Sequence, residues 1–109
     1  MKIVITNQAQ LNIKNAIEWK AKNTNKEQAK EYIKDIVTDW KNQMLVAPES
    51  GKVCQYLISD VIRESIKGDY RLTYEIENKG GELKISLLIF CHTKMDYQTL
   101  LRNANIPHP

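Results

Sequence analysis

The spacing of apolar residues changes once along this chain, and that change limits what the chain can fold into. Before Pro48, apolar residues recur at intervals of three and four, which is typical of amphipathic helices. After Gly51 they alternate, which is typical of strands with one buried face. A helical stripe that is followed by alternating strands can be buried against one face of the sheet that those strands form. The sequence therefore predicts an α+β fold.

The strongest helical pattern lies immediately before this change. Its apolar stripe consists of Ala29, Tyr32, Ile33, Ile36, Val37, Trp40 and Met44. The helix is predicted to end near Val46, because Pro48 and Gly51 do not allow it to continue. Thr24 and Glu27 have the spacing of a capping box at its start.

Two further elements are predicted upstream. The run KIVIT, residues 2–6, is rich in β-branched residues and predicts a strand. A weaker amphipathic helix is predicted over residues 8–22, with Asn7 as its cap. Trp19 falls off the main stripe of this helix, so it is a candidate contact residue for a partner protein or a second copy of the chain, as well as a packing residue.

The second half predicts a strand meander. Extended segments are expected over residues 52–58, 61–66, 70–76 and 83–91, and the last of these is apolar enough to be an interior strand. Turns are expected at 67–69 and 78–81. The predicted architecture is an N-terminal strand and a helical hairpin packed on a mainly antiparallel sheet of about four strands.

Strand register decides which side chains share a face. A three-residue turn would place Arg63 opposite Thr73, and a larger second loop would place Glu75 opposite Lys84. The predicted core face then holds Tyr70, Leu72, Tyr74, Ile76, Leu83, Ile85, Leu87 and Ile89. The opposite face would carry Arg63, Arg71, Leu88, Phe90 and His92 together.

Composition limits the class of protein. A length of 109 residues predicts a single domain over residues 1–109, with residues 95–109 as a loose tail. The net charge of +3 is compatible with an anionic partner but does not diagnose nucleic acid binding. No segment is apolar enough to cross a membrane or to serve as a signal peptide, so a cytoplasmic location without membrane contact is expected. Two cysteines and two histidines without ligand spacing predict no metal site, and no cofactor is expected.

The ordered motifs resemble the RelE/ParE superfamily of toxins from bacterial type II toxin–antitoxin systems. The resemblance covers residues 2–94. It is carried by KIVIT, the helical hairpin, PESG at 48–51, IRESIKGDYRLTYEI at 62–76, and an apolar strand that ends in His92.

This resemblance implies a function and partners. A cognate antitoxin would wrap and neutralise the chain in a toxin–antitoxin hetero-oligomer. Members of the ParE-like branch inhibit DNA gyrase, whereas members of the RelE-like branch cleave messenger RNA on the ribosome. A third hypothesis is a relic without toxicity that retains only antitoxin binding.

The two toxic branches require different residues. A RelE-like nuclease would use Arg63 and Arg71 to stabilise phosphate charge, and His92 as acid or base. Lys94 would add positive charge, and Tyr97 would stack on a base or assist proton transfer. The modest charge and the strong helical hairpin favour the ParE-like branch, which needs a binding surface and no catalytic groups.

Overall fold

A computed structural model describes residues 1–53, 61–95 and 99–100 of the chain. Within these ranges the elements are β1 (Lys2–Ile5), α1 (Asn7–Ala21), α2 (Lys26–Val46), β2 (Lys52–Val53), β3 (Ile62–Lys67), β4 (Tyr70–Lys79) and β5 (Glu82–His92). A short 3-10 turn, Pro48–Ser50, joins α2 to β2. The predicted tail after residue 95 lies outside the described residues, except for Thr99 and Leu100, which are helical.

Each helix is capped one residue away from the predicted position. Thr6 caps α1, because its hydroxyl accepts a hydrogen bond from the Ala9 amide at 3.2 Å. Asn25 caps α2 in the same way, accepting from the Gln28 amide at 2.9 Å. Asn7 and the capping box at Thr24 were therefore wrong predictions, although they placed both helix starts correctly to within two residues.

The strands of the described ranges form one five-stranded sheet in the order β1-β5-β4-β3-β2. β1 runs parallel to β5, and the other neighbours are antiparallel. This confirms the predicted α+β architecture, with one strand more than expected. None of the helices in the described ranges is long and apolar enough to span a membrane.

The core lies between the helical hairpin and one face of the sheet. α1 packs against α2 and across β5. The predicted α2 stripe faces the sheet, and six of its seven residues are buried there, with Tyr32 partly buried. They meet Tyr70, Leu72 and Tyr74 of β4 and Ile85, Leu87 and Phe90 of β5.

The turn between β3 and β4 changes the predicted register. Lys67 pairs with Tyr70, so the turn contains only Gly68 and Asp69, with Gly68 at φ 58°. This one-residue difference moves every β3 side chain to the other face. Arg63 pairs with Tyr74, instead of Thr73 as predicted, and therefore lies on the helix side of the sheet.

The second turn is also tighter than predicted. Lys79 pairs with Glu82 across Gly80 and Gly81, whose φ angles of 61° and 87° are those that glycine accepts most easily. The register of β4 against β5 therefore differs from the predicted one by two residues. In this part of the sheet each side chain stays on its predicted face but has a different partner on the neighbouring strand. Lys84 consequently lies opposite Glu77, and the predicted pair with Glu75 is wrong.

A β-bulge in β5 redirects the end of that strand. Thr73 pairs with Ile89 while Tyr74 pairs with Leu87, which leaves Leu88 as the extra residue. Beyond the bulge the alternation of faces is reversed. Phe90 and His92 therefore lie on the helix side and Ile89 on the opposite side, which corrects the predicted faces of all three residues.

Candidate functional site

Arg63 binds the backbone that leaves α2. Its Nη1 donates to the Gly51 carbonyl at 2.9 Å and to the Glu49 carbonyl at 3.3 Å. These hydrogen bonds engage Nη1 of the guanidinium with the protein's own main chain. Arg63 thus holds the 48–51 turn against β3, and this contact accounts for the position of the residue without any ligand.

Tyr74 holds the same turn from the sheet. Its hydroxyl donates to the Pro48 carbonyl at 2.9 Å and accepts from the Gly51 amide at 3.0 Å. Burial raises the pKa of Tyr74 above its usual value, and hydrogen bonds with Ser65 and with the Gly51 amide partly oppose that effect. Sequence analysis placed Tyr74 in the core but missed this polar role, because the turn that Tyr74 binds is distant from it along the chain.

Gln43 completes this polar cluster. Its side-chain amide donates to the Ser50 hydroxyl at 2.7 Å and to the Ser65 hydroxyl at 3.1 Å, linking α2 to the turn and to β3. We call Arg63, Tyr74, Gln43, Ser50 and Ser65 the turn clamp. Together they fix the point where the helical half of the chain becomes the strand half.

Arg71 lies on the other face of the sheet. It pairs with Ile66 on one side and Cys91 on the other, and its Nε lies 4.0 Å from Oε2 of Glu64. Both side chains are largely buried, at 19% and 11% exposure. The predicted grouping of Arg63 with Arg71 on one face is therefore wrong, because the register difference separates them.

His92 packs between two aromatic rings on the helix side. Its ring centroid lies 5.7 Å from that of Trp19 and 5.4 Å from that of Tyr70. Its Nδ1 accepts a hydrogen bond from the Lys94 amide at 3.1 Å. In the neutral ring the proton therefore sits on Nε2, which makes that nitrogen a hydrogen-bond donor and not a base.

The predicted site residues do not form one cluster. Arg63 and His92 pair with Tyr74 and Tyr70 on opposite sides of β4. Four residues along the strand and two strand spacings across it separate the Cα atoms of Arg63 and His92 by roughly 16 Å. Lys94 remains next to His92, and Tyr97 lies outside the described residues. Within the described ranges, no three His, Cys, Asp or Glu side chains could hold a metal ion.

A largely apolar pocket opens beside His92, between α1 and the ends of β4 and β5. Its volume is about 380 Å³, within the range of binding cavities. We call it the Trp19 pocket; its main walls are Ala16, Trp19, Tyr70, Phe90, His92 and Met95. Sequence analysis missed the pocket, and the off-stripe position of Trp19 was the one signal that pointed to it.

Comparison with known proteins identifies relatives of this fold. A family model for the ParE toxin of type II toxin–antitoxin systems, parDE, matches residues 3–97. Among solved structures, the chromosomal ParDE toxin–antitoxin system from P. aeruginosa contains a similar chain, with a TM-score of 0.70 and 17% sequence identity. The match covers 84% of the present chain and 95% of the other. A search of curated proteins found no significant match.

Proposed function

Because the chain belongs to the ParE toxin family of type II toxin–antitoxin systems, we propose that it arrests growth by binding and inhibiting DNA gyrase. In this proposal a cognate antitoxin neutralises the toxin in a hetero-oligomer. The chain acts in the cytoplasm, where its target works on DNA. It performs no chemistry of its own, so its effect depends on a surface and not on a catalytic group.

The separation of the predicted nuclease residues is the observation that carries this proposal. Cleavage through a ribose hydroxyl needs a base and phosphate-binding cations within hydrogen-bond reach of one phosphate. Arg63 binds two backbone carbonyls, and Arg71 lies on the opposite face of the sheet. The Cα atom of His92 is roughly 16 Å from that of Arg63. These positions count against a single phosphate site formed by the three side chains.

The hydrogen bonding of His92 counts against one of its two predicted catalytic roles, that of a base. A general base needs a nitrogen lone pair directed at the proton that it removes. The Lys94 amide occupies Nδ1, and Nε2 carries the proton in the neutral ring. In this arrangement neither ring nitrogen has a free lone pair for a base, and Nε2–H is a hydrogen-bond donor.

The decisive experiment is a direct assay on gyrase. Expression of the chain should arrest growth and induce the DNA-damage response. The purified protein should block supercoiling of relaxed plasmid by gyrase, and its antitoxin should restore supercoiling. If the histidine has no catalytic role, the His92→Gln variant should inhibit gyrase within threefold of wild type. Lys41→Gln is the matched control, because Lys41 is exposed.

Two results would contradict the proposal. Fragmented messenger RNA together with fully active gyrase, and loss of that fragmentation in His92→Gln or Arg71→Gln, would identify a RelE-like ribosome-dependent endonuclease. Normal growth when the chain is expressed without its antitoxin, together with antitoxin binding by the purified chain, would identify a relic that has kept only its partner.

A further inference from the structure

We propose that the Trp19 pocket receives a large apolar side chain of the antitoxin, and that a carboxylate next to that side chain approaches Lys94. This inference rests on the proposed function, because it presumes that the chain has an antitoxin. It adds the position of one anchor and the chemistry that the partner must present there.

The pocket walls determine the apolar part of the partner. They are mainly the rings of Trp19, Tyr70 and Phe90 and the side chain of Met95. Tyr70 and Phe90 are stacked, with ring centroids 4.8 Å apart and planes at 13°, and both are buried. A rigid aromatic floor of this kind favours an aliphatic or aromatic group over a phosphate, because a buried anion would lose hydration without replacement.

Two large apolar side chains at the edge of the pocket are exposed to solvent. Trp19 is 55% exposed and Met95 is 52% exposed, although both are large apolar side chains. Tryptophan and methionine are enriched in the cores of protein interfaces, where exclusion of water gives large binding energies. Coverage of these two side chains is the main gain that a partner would make here.

Asn12 and His92 both present hydrogen-bond donors to the pocket. The Asn12 carbonyl oxygen is occupied, because it accepts a hydrogen bond from the Phe90 amide at 3.2 Å. The remaining Asn12 amide hydrogens and the His92 Nε2–H can donate. The pocket therefore suits partner groups that accept hydrogen bonds, namely backbone carbonyls and carboxylates.

The charges around the pocket favour an acidic partner. Lys94 lines the pocket and is exposed. Lys20 lies 4.1 Å above the ring of Tyr32, which packs edge-on against Tyr70. Burial raises the pKa of Tyr70, and Tyr32 and the nearby carboxylate of Asp69 add to that effect. Among the charged residues that the structure describes here, two lysines outnumber one acid, so an apolar anchor beside a carboxylate is the complementary sequence.

The test measures binding of the full-length protein encoded in the neighbouring reading frame. Trp19→Ala should weaken binding by about 30-fold or more, as expected for a hot spot. Leu11→Ala is the matched control, because Leu11 is 51% exposed on the same helix and does not line the pocket. Its effect should stay below about threefold. Melting curves should show that both variants remain folded at the assay temperature, since both side chains are half exposed and Trp19→Ala removes only the packing of its buried half against His92 and the pocket.

Charge and accessibility give two independent measurements. Lys94→Glu should weaken binding about tenfold at low salt and less at high salt, whereas Lys41→Glu should have little effect. Iodide quenching of wild-type tryptophan fluorescence reports mainly on Trp19, because Trp40 is fully buried. Quenching should fall when the partner binds.

The outcomes separate the inference from the function on which it rests. Equal binding by the Trp19→Ala and Leu11→Ala variants, or unchanged iodide quenching in the complex, would overturn the pocket assignment and leave the toxin–antitoxin function intact. Loss of gyrase inhibition with unchanged antitoxin binding in Trp19→Ala would assign the pocket to the target instead. No binding by the wild-type chain would overturn the antitoxin proposal and the pocket inference together.

Discussion

Removal of one hydroxyl group should show how strongly the turn clamp stabilises this fold. The Tyr74→Phe substitution keeps the aromatic ring that packs against Trp40, with centroids 5.7 Å apart. It removes the acceptor of the Gly51 amide and the donor to the Pro48 carbonyl. Gly51 is buried, so its amide would have no replacement partner from water.

The expected cost follows from these two hydrogen bonds. A buried amide left without a partner costs about 1–3 kcal/mol, and the lost bond to the partly buried Pro48 carbonyl adds about 1 kcal/mol. We expect Tyr74→Phe to lower the free energy of unfolding by about 2–4 kcal/mol. Domains of this size have a total stability of about 5–15 kcal/mol, so the loss should be easy to measure.

Tyr70→Phe is the matched control for this measurement. Tyr70 lies on the same strand and the same face and is also buried, at 2% exposure. Its hydroxyl makes no hydrogen bond within the part of the chain that the structure describes, so its removal should change stability by less than about 0.5 kcal/mol. Urea denaturation at pH 7 gives both values, with an unchanged slope as the check on two-state behaviour. Equal losses for the two variants would refute the role assigned to the clamp.

Three further outcomes are expected. Gly51→Ala should cost about 1–3 kcal/mol in urea denaturation, because the added methyl would collide with the Tyr74 hydroxyl, and a Tyr74→Ala background should reduce that cost. Burial raises the pKa of the Cys91 thiol to about 11. If the chain's other cysteine, Cys54, is replaced by serine, a thiol reagent at pH 7 should react with Cys91 only upon unfolding, and rapid labelling of the folded protein would contradict this. Burial also raises the pKa of Glu75, so the folded state holds this proton more tightly than the unfolded state, and the resulting stability is lost as pH rises through the folded-state pKa. Glu75→Gln should therefore stabilise the protein more at pH 7 than at pH 4, and equal effects at both pH values would show that the carboxyl is not perturbed.

Gly51 shows how a correct sequence signal can have a different physical cause. Together with Pro48 it marked the end of α2, and α2 does end at Val46. The φ angle of Gly51 is −69°, which any residue adopts, so the position does not need glycine for its backbone conformation. It needs glycine because the Tyr74 hydroxyl and the Glu64 carbonyl occupy the space of a side chain. That contact joins residues 23 positions apart and was not visible in the local sequence.

The candidate site was less predictable than the fold. The spacing of Trp19 and the apolar strand that ends in His92 were visible in the sequence, but their contact was not. Phe90 and His92 join the pocket because the bulge at Leu88 turns the end of β5 towards α1. A bulge adds one residue without a distinctive local pattern here, so alternation alone assigned these side chains to the wrong face.

The spacing of apolar residues along the chain determined the helices, the strands and their order, because burial of one face imposes a regular spacing on residues close in sequence. Tertiary structure alone decided which functional side chains meet. A turn of two residues instead of three separated Arg63 from Arg71, and one extra residue in β5 moved His92 to the helix side. Side chains alternate with a period of two, so a shift of one residue reverses the face of every residue that follows, and long-range pairing sets that shift.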